Sequence, residues 1–178
     1  LAQSASLPDP GVTPDSHFYF LKTWKEQVQL FFTFNAEKKA QQFLHLADVR
    51  MAEYQKMLEK GKTEIAQKTL EKYQKQLDRA LQKAEELKAK KDARKEKSDQ
   101  IEKETSTTTP KMKELNERHI QILQKNLEKV PEAARESLRR ALENSTKLKE
   151  RIQEKLDKRS ATDDMGSQQD QKQEGAKD

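Results

Sequence analysis

Seven of the chain's ten aromatic residues lie between Phe18 and Phe34. Behind them runs a Lys/Glu-rich chain with thinly spread apolar residues, so this segment is the expected keystone of any core. Thr13 suits an N-cap and Pro14 the first helical position, where a missing amide hydrogen costs nothing. A first helix is therefore expected from Thr13. Phe18, Leu21, Trp24, Val28, Phe31 and Phe32 recur mostly at steps of three and four, one stripe of a helix. Tyr19, Phe20, Leu30 and Phe34 widen the stripe. The expectation is a central helix on which later helices pack. On that reading Trp24→Ala or Phe31→Ala costs about 3–5 kcal/mol. The rival reading is an exposed apolar face that holds a partner, because large exposed patches mark interaction sites.

Composition favours long helices over sheets. Of 178 residues, 38% are charged and 32% hydrophobic, with four Gly and five Pro; that balance limits how much core the chain can build. The longest apolar stretch falls well short of the roughly 20 residues a membrane span requires, so no transmembrane segment is expected. There is no Cys, which excludes disulfides and thiolate chemistry and leaves the redox compartment open. The chain begins Leu1-Ala-Gln-Ser-Ala-Ser. A mature secreted protein begins this way after its signal peptide is removed, as does an excised segment, and secretion is the expectation.

The remaining elements follow from breaks in the apolar rhythm. Residues 1–12, with Pro8, Pro10 and Gly11, read as an extended leader. Asn35 caps a second helix over about 36–60, whose seam runs Ala40, Phe43, Ala47, Met51, Tyr54, Leu58. Gly61 stops it and Thr63 opens a third helix, with Ala66, Leu70, Tyr73, Leu77, Ala80, Ala84 and Leu87 in the same rhythm. From Lys88 the seam nearly vanishes, so a long hairpin is expected to project near residues 88–110. Thr105 to Thr109 reads as a polar break, with Pro110 restarting a fourth helix that runs to about Lys129. Pro131 begins a fifth or leaves a kink. Its seam of Ala134, Leu138, Ala141, Leu148, Ile152 and Leu156 is interrupted by Ser145. Residues 160–178 lack apolar pattern and read as a disordered tail. The fold class is all-α: an antiparallel bundle or long helical hairpins of about five helices, with the helical domain over 13–159.

Candidate chemistry is sparse. His17, His45 and His119 are the only imidazoles. His45 and Asp48 share a helix face, but the paired His/Glu spacing of di-metal bundles is absent. Ser16 lies beside His17, yet neighbours in sequence point apart on a helix. No nucleophile elbow, P-loop or dinucleotide fingerprint occurs. No cofactor, metal or catalytic residue is assigned, the small-molecule ligand is unknown, and the protein is read as no enzyme. The densest basic patch, Lys88, Lys90, Lys91, Arg94, Lys95 and Lys97, has no interleaved aromatics for base stacking. It reads as a solvated face, and nucleic acid is not expected as a partner.

Gly11 to Lys22, G-V-T-P-D-S-H-F-Y-F-L-K, resembles the opening of a bacterial family, domain of unknown function 5667, whose members read G-L-T-P-D-S-P-x-Y. Phe34-Asn35-Ala36-Glu37 is similar to its Phe-(Asp/Asn)-x-Glu stretch. Leu46-Ala47-Asp48-Val49-Arg50-Met51-Ala52-Glu53 is similar to its L-A-E-x-R-L-x-E segment, with Asp48 for Glu. His119, Leu123, Pro131 and Ala134 match a later H-x3-L-x7-P-x2-A stretch. The resemblance covers about residues 7–145, with His17 in place of the usual Pro. It implies a secreted or envelope-attached helical domain with no catalytic motif to carry over.

Together these readings point to a non-enzymatic binding or scaffold protein of the cell envelope, acting through protein contacts or self-association. Its expected contact and packing residues are Phe18, Leu21, Trp24, Val28, Phe31, Phe32, Phe43, Tyr54 and Tyr73. A periplasm-type helical chaperone is the first alternative, and a basic rim around an apolar concavity is what it requires. A metal-responsive sensor using His45, His119 and nearby carboxylates is the second.

Overall fold

The computed structural model describes residues 7–93 and 99–174. They form five helices: α1 (Tyr19–Phe31), α2 (Ala36–Glu59), α3 (Thr63–Ala93), α4 (Asp99–Leu127) and α5 (Glu132–Glu174). No strand occurs among the described residues. Asn35 caps α2 as expected, its side chain accepting from the Lys38 amide at 3.0 Å. Gly61 ends α2 with φ at 69°. The Lys62 amide donates to the Met57 carbonyl at 2.8 Å and the Gly61 amide to Leu58 at 2.9 Å. These two bonds are the Schellman pattern, which needs a residue at ease in the left-handed region.

Helices α2 and α3 form one hairpin, α4 and α5 a second, and the two pack through α2 with α4 and α3 with α5. The core follows the predicted seams. Phe43, Tyr54 and Tyr73 are buried, as are Met57, Leu123 and Leu138. Inward positions on α5 run Ala134, Leu138, Ala141, Ser145, Leu148 and Ile152. Those steps alternate four and three, the spacing that keeps one face turned to a partner helix.

Two expectations are corrected. Helix α1 starts at Tyr19, not Thr13, because residues 13–18 spend their polar groups on turns. The Ser16 amide donates to the Thr13 carbonyl at 2.9 Å, and the Thr13 hydroxyl bonds Asp15 instead of capping a helix. Helix α4 runs straight through Thr105–Thr109 and encloses Pro110. Ordinary residues differ from Ala by at most about 0.7 kcal/mol in helix propensity, too little for Ser and Thr alone to impose a break. Helix α5 continues in helical backbone to Glu174. The Lys88–Lys97 side chains, and with them the character of the expected hairpin tip, lie outside the described residues.

Candidate functional site

Helix α1 carries two stripes with the same three/four rhythm, and the protein buries the more polar one. Tyr19, Lys22, Glu26 and Leu30 face the body, with Tyr19 and Leu30 buried. Opposite them, Leu21, Trp24, Phe31 and Phe32 are exposed and Val28 half-buried. The central-helix expectation for Phe18, Leu21, Trp24, Val28, Phe31 and Phe32 is thus overturned, for a reason found on α2.

That helix buries a carboxylate and a guanidinium, Glu53 and Arg50, both almost sealed from solvent. Buried charges are costly unless fully partnered, and α1 brings the partners. The Tyr19 hydroxyl donates to Glu53 Oε2 at 2.8 Å, and Lys22 and Arg50 both donate to Glu53 Oε1. Arg50 reaches Glu26 with its other nitrogen. Lys22 also donates to the carbonyls of Pro10 and Val12, so all three ammonium hydrogens are engaged. Three cations surround the Tyr19 ring, Lys72 at 5.0 Å, Arg50 at 5.7 Å and Lys22 at 5.8 Å from its centroid. Burial raises the pKa of the Tyr19 hydroxyl, keeping it a proton donor. Burial alone disfavours the Arg50 charge, but Glu53, Tyr19 and Glu26 outweigh it and raise its pKa.

A second clamp holds the leader. Asp15 accepts from Lys62 at 2.7 Å and from Lys60 at 3.0 Å, just past the end of α2. Lys62, with Thr13 and Lys60, pulls the Asp15 carboxyl well below the usual range.

A polar layer crosses the bundle itself. Tyr73 from α3, Asn116 and His119 from α4 and Ser145 from α5 are all buried. The Tyr73 and His119 rings meet edge to face at 5.0 Å. The Tyr73 hydroxyl lies 3.3 Å from Ser145 Oγ, and Asn116 donates to the Ser145 carbonyl at 2.8 Å. His119 Nε2 is 2.9 Å from Asp48 Oδ1, which also accepts from Arg118 at 2.6 Å. A carboxylate can only accept, so Nε2 carries the proton and Nδ1 is left a buried atom with no hydrogen-bond partner. Burial lowers the His119 pKa, more than Asp48 raises it. At Asp48 burial works against the charge, and His119 and Arg118 more than restore it.

The outward stripe of α1 borders a cleft of about 450 Å³ lined by Trp24, Val28, Phe31 and Phe32, with Lys39 and Phe43 of α2 and Arg79 of α3. Phe43 is its buried floor, and the Arg79 guanidinium sits 5.9 Å over that ring. Phe31 and Phe32 pack edge to face at 5.4 Å.

A family model described as a domain of unknown function (DUF5667) matches residues 11–133, more than half of the chain. The chain belongs to that family. No curated protein and no solved structure matches the chain. Two segments that carry the DUF5667 resemblance meet in space. Asp15, Tyr19 and Lys22 of the opening motif hold the leader and α1, while Arg50 and Glu53 come from the L-A-D-V-R-M-A-E segment. In this DUF5667 domain they form a structural clasp.

His17 and His45 are exposed, and Ser16 accepts from the Phe18 amide. His119 is sealed in the core of the DUF5667 domain with its Nε2 committed to Asp48. Among the described residues, no group of three His, Cys, Asp or Glu is placed to hold a metal, and no helix is long and apolar enough to cross a membrane. Sequence reasoning missed Arg50, Glu53, Asn116 and Arg118, and took Ser145 as an interruption. The signal was present in part: Asn116 and His119 occupy seam positions between Met112 and Leu123, where a polar residue must find a buried partner.

Proposed function

We propose that this DUF5667 domain is a non-enzymatic binding module of the bacterial cell envelope, with the outward face of α1 as its protein-contact surface. The observation that carries the reading is an inverted amphipathic helix, fixed to the body by charged groups and turned aromatic side out. Six rings, Phe18, Phe20, Trp24, Phe31, Phe32 and Phe34, are 63% to 86% exposed. At about 150–250 Å² per ring they leave roughly 800 Å² uncovered, what one side of a standard interface contributes. Patches this large on a folded domain are sites of association. The envelope address rests on the family resemblance.

Trp24 is the only tryptophan, so its fluorescence reports this face directly. A partner captured from an envelope extract should shift Trp24 emission to the blue and lose affinity for a Trp24→Ser, Phe31→Ser double variant. An interaction indifferent to that variant, or a protein confined to the cytoplasm on fractionation, removes the reading.

A chaperone-like client binder is the second reading, favoured by one specific observation: Lys39 and Arg79 form a basic rim on the apolar cleft. Suppression of aggregation of a denatured client at equimolar ratio supports it; no suppression at any ratio disposes of it.

A further inference from the structure

We infer that the partner is a segment carrying apolar anchors beside carboxylates, seated in the cleft between α1 and α3; this rests on the binding role proposed for the aromatic face. Shape is the first argument. The cleft has the volume of a small-ligand site and a sunken aromatic floor at Phe43, with α1 as one wall and Arg79 on the other. Side chains projecting from a peptide reach such a floor, whereas a flat surface rests on the ridges.

Charge is the second. The lining includes two cations, Lys39 and Arg79, and no carboxylate. Three acids on the same helices have other neighbours. Glu26 is paired with Arg50, Glu37 is bonded to Gln41, and Asp78 lines a separate pocket with Asn144 and Arg151. An occupant with aligned carboxylates gains complementarity that fixes its register and speeds its encounter. An apolar occupant without them leaves both cations partly desolvated and unpaired.

The same pattern disfavours a second copy of the chain. A two-fold contact brings identical patches together, so Lys39 and Arg79 would meet a lining that holds no carboxylate. Like charges facing one another act against a partner.

The test is a display selection of random peptides on the full chain, counter-selected on Trp24→Ser. Enriched sequences should combine Leu, Phe or Trp anchors at helical or alternating spacing with Glu or Asp. Their affinity should fall about tenfold in a Lys39→Glu, Arg79→Glu variant and weaken with salt, and Lys-for-Glu versions of the peptides should prefer that variant. Enriched peptides that need Trp24 but are neutral or basic overturn the acidic partner and leave the binding face standing. Peptides indifferent to Trp24, or no enrichment at all, take down both. Two results replace the occupant outright: a Trp24 blue shift with phosphatidylglycerol vesicles and none with peptides, or a Trp24-dependent dimer in sedimentation equilibrium.

Discussion

Helix α1 and the four-helix bundle were built from opposite materials and show opposite sides to water. The bundle has few rings and many small or flexible residues, Ala47, Ala66, Ala80, Met51, Met57 and Met112 among its fully buried ones. Helix α1 holds the densest run of aromatics and keeps most of them outside. Local apolar density therefore does not choose the core. What chooses it is a seam that several helices continue together, because each buried face must be covered along its length by another. The seams of α2, α3, α4 and α5 match one another over many turns. The α1 stripe is short and has no equal to pair with, while its polar edge answers two charges that α2 cannot leave alone.

The largest expected effect is at the joint between these regions. Glu53→Ala strips Lys22, Tyr19 and one arm of Arg50 of their common partner and leaves cationic groups buried, at a cost of about 3–5 kcal/mol. Chemical denaturation measures the loss, and amide exchange should rise first across α1. A loss below about 1 kcal/mol would mean that the clasp is ornamental and apolar contacts at Leu30 hold the helix.

Within the bundle, pH sharpens the contrast. Burial holds the His119 pKa below its ordinary value of 6.5, so below that pH the unfolded chain takes up a proton that the folded one resists. The stabilising contribution is complete above about pH 6.5 and is lost as pH falls toward the folded pKa. The melting temperature should drop between pH 7.5 and 5.5, and His119→Gln should flatten that drop. An unchanged slope in the variant would place the sensitivity outside the polar layer.

Asp15→Asn weakens an ion cluster that solvent reaches, and about 1 kcal/mol or less is expected; high salt should erase the difference from the parent chain. The smallest effect belongs to the aromatic face. Trp24→Ala, which a core position would make costly, should change stability by less than about 0.5 kcal/mol while abolishing binding. A loss of several kcal/mol would return the stripe to the core and end the comparison.

Much of the bundle was legible beforehand. Asn35 and Gly61 bounded α2 because capping and left-handed backbone are local properties of one or two residues. Pro131 marked the boundary before α5 for the same reason, and the three/four seams named Phe43, Tyr54 and Tyr73. Pro110 misled because a helix anchored at Met112 can absorb one missing hydrogen bond. The orientation of α1 was not legible, since both of its stripes have helical spacing and the choice rests on Arg50 and Glu53, more than twenty residues away in sequence. The polar layer was hidden similarly: Ser145 breaks the α5 seam when read alone and completes it once Tyr73 and Asn116 stand opposite.

The clasp also orders assembly in time. The leader and α1 together grip Glu53 and Arg50 on α2, Lys72 on α3 and the Lys60–Lys62 turn between them, a set that is assembled only when the α2–α3 hairpin is complete. Helix α1 precedes those partners along the chain and is therefore seated only after the hairpin that it grips. Pulse-labelled exchange during refolding should show α1 protected after α2 and α3. Such a chain has reason to keep its most adhesive stretch short and bordered by lysines from the moment it is made.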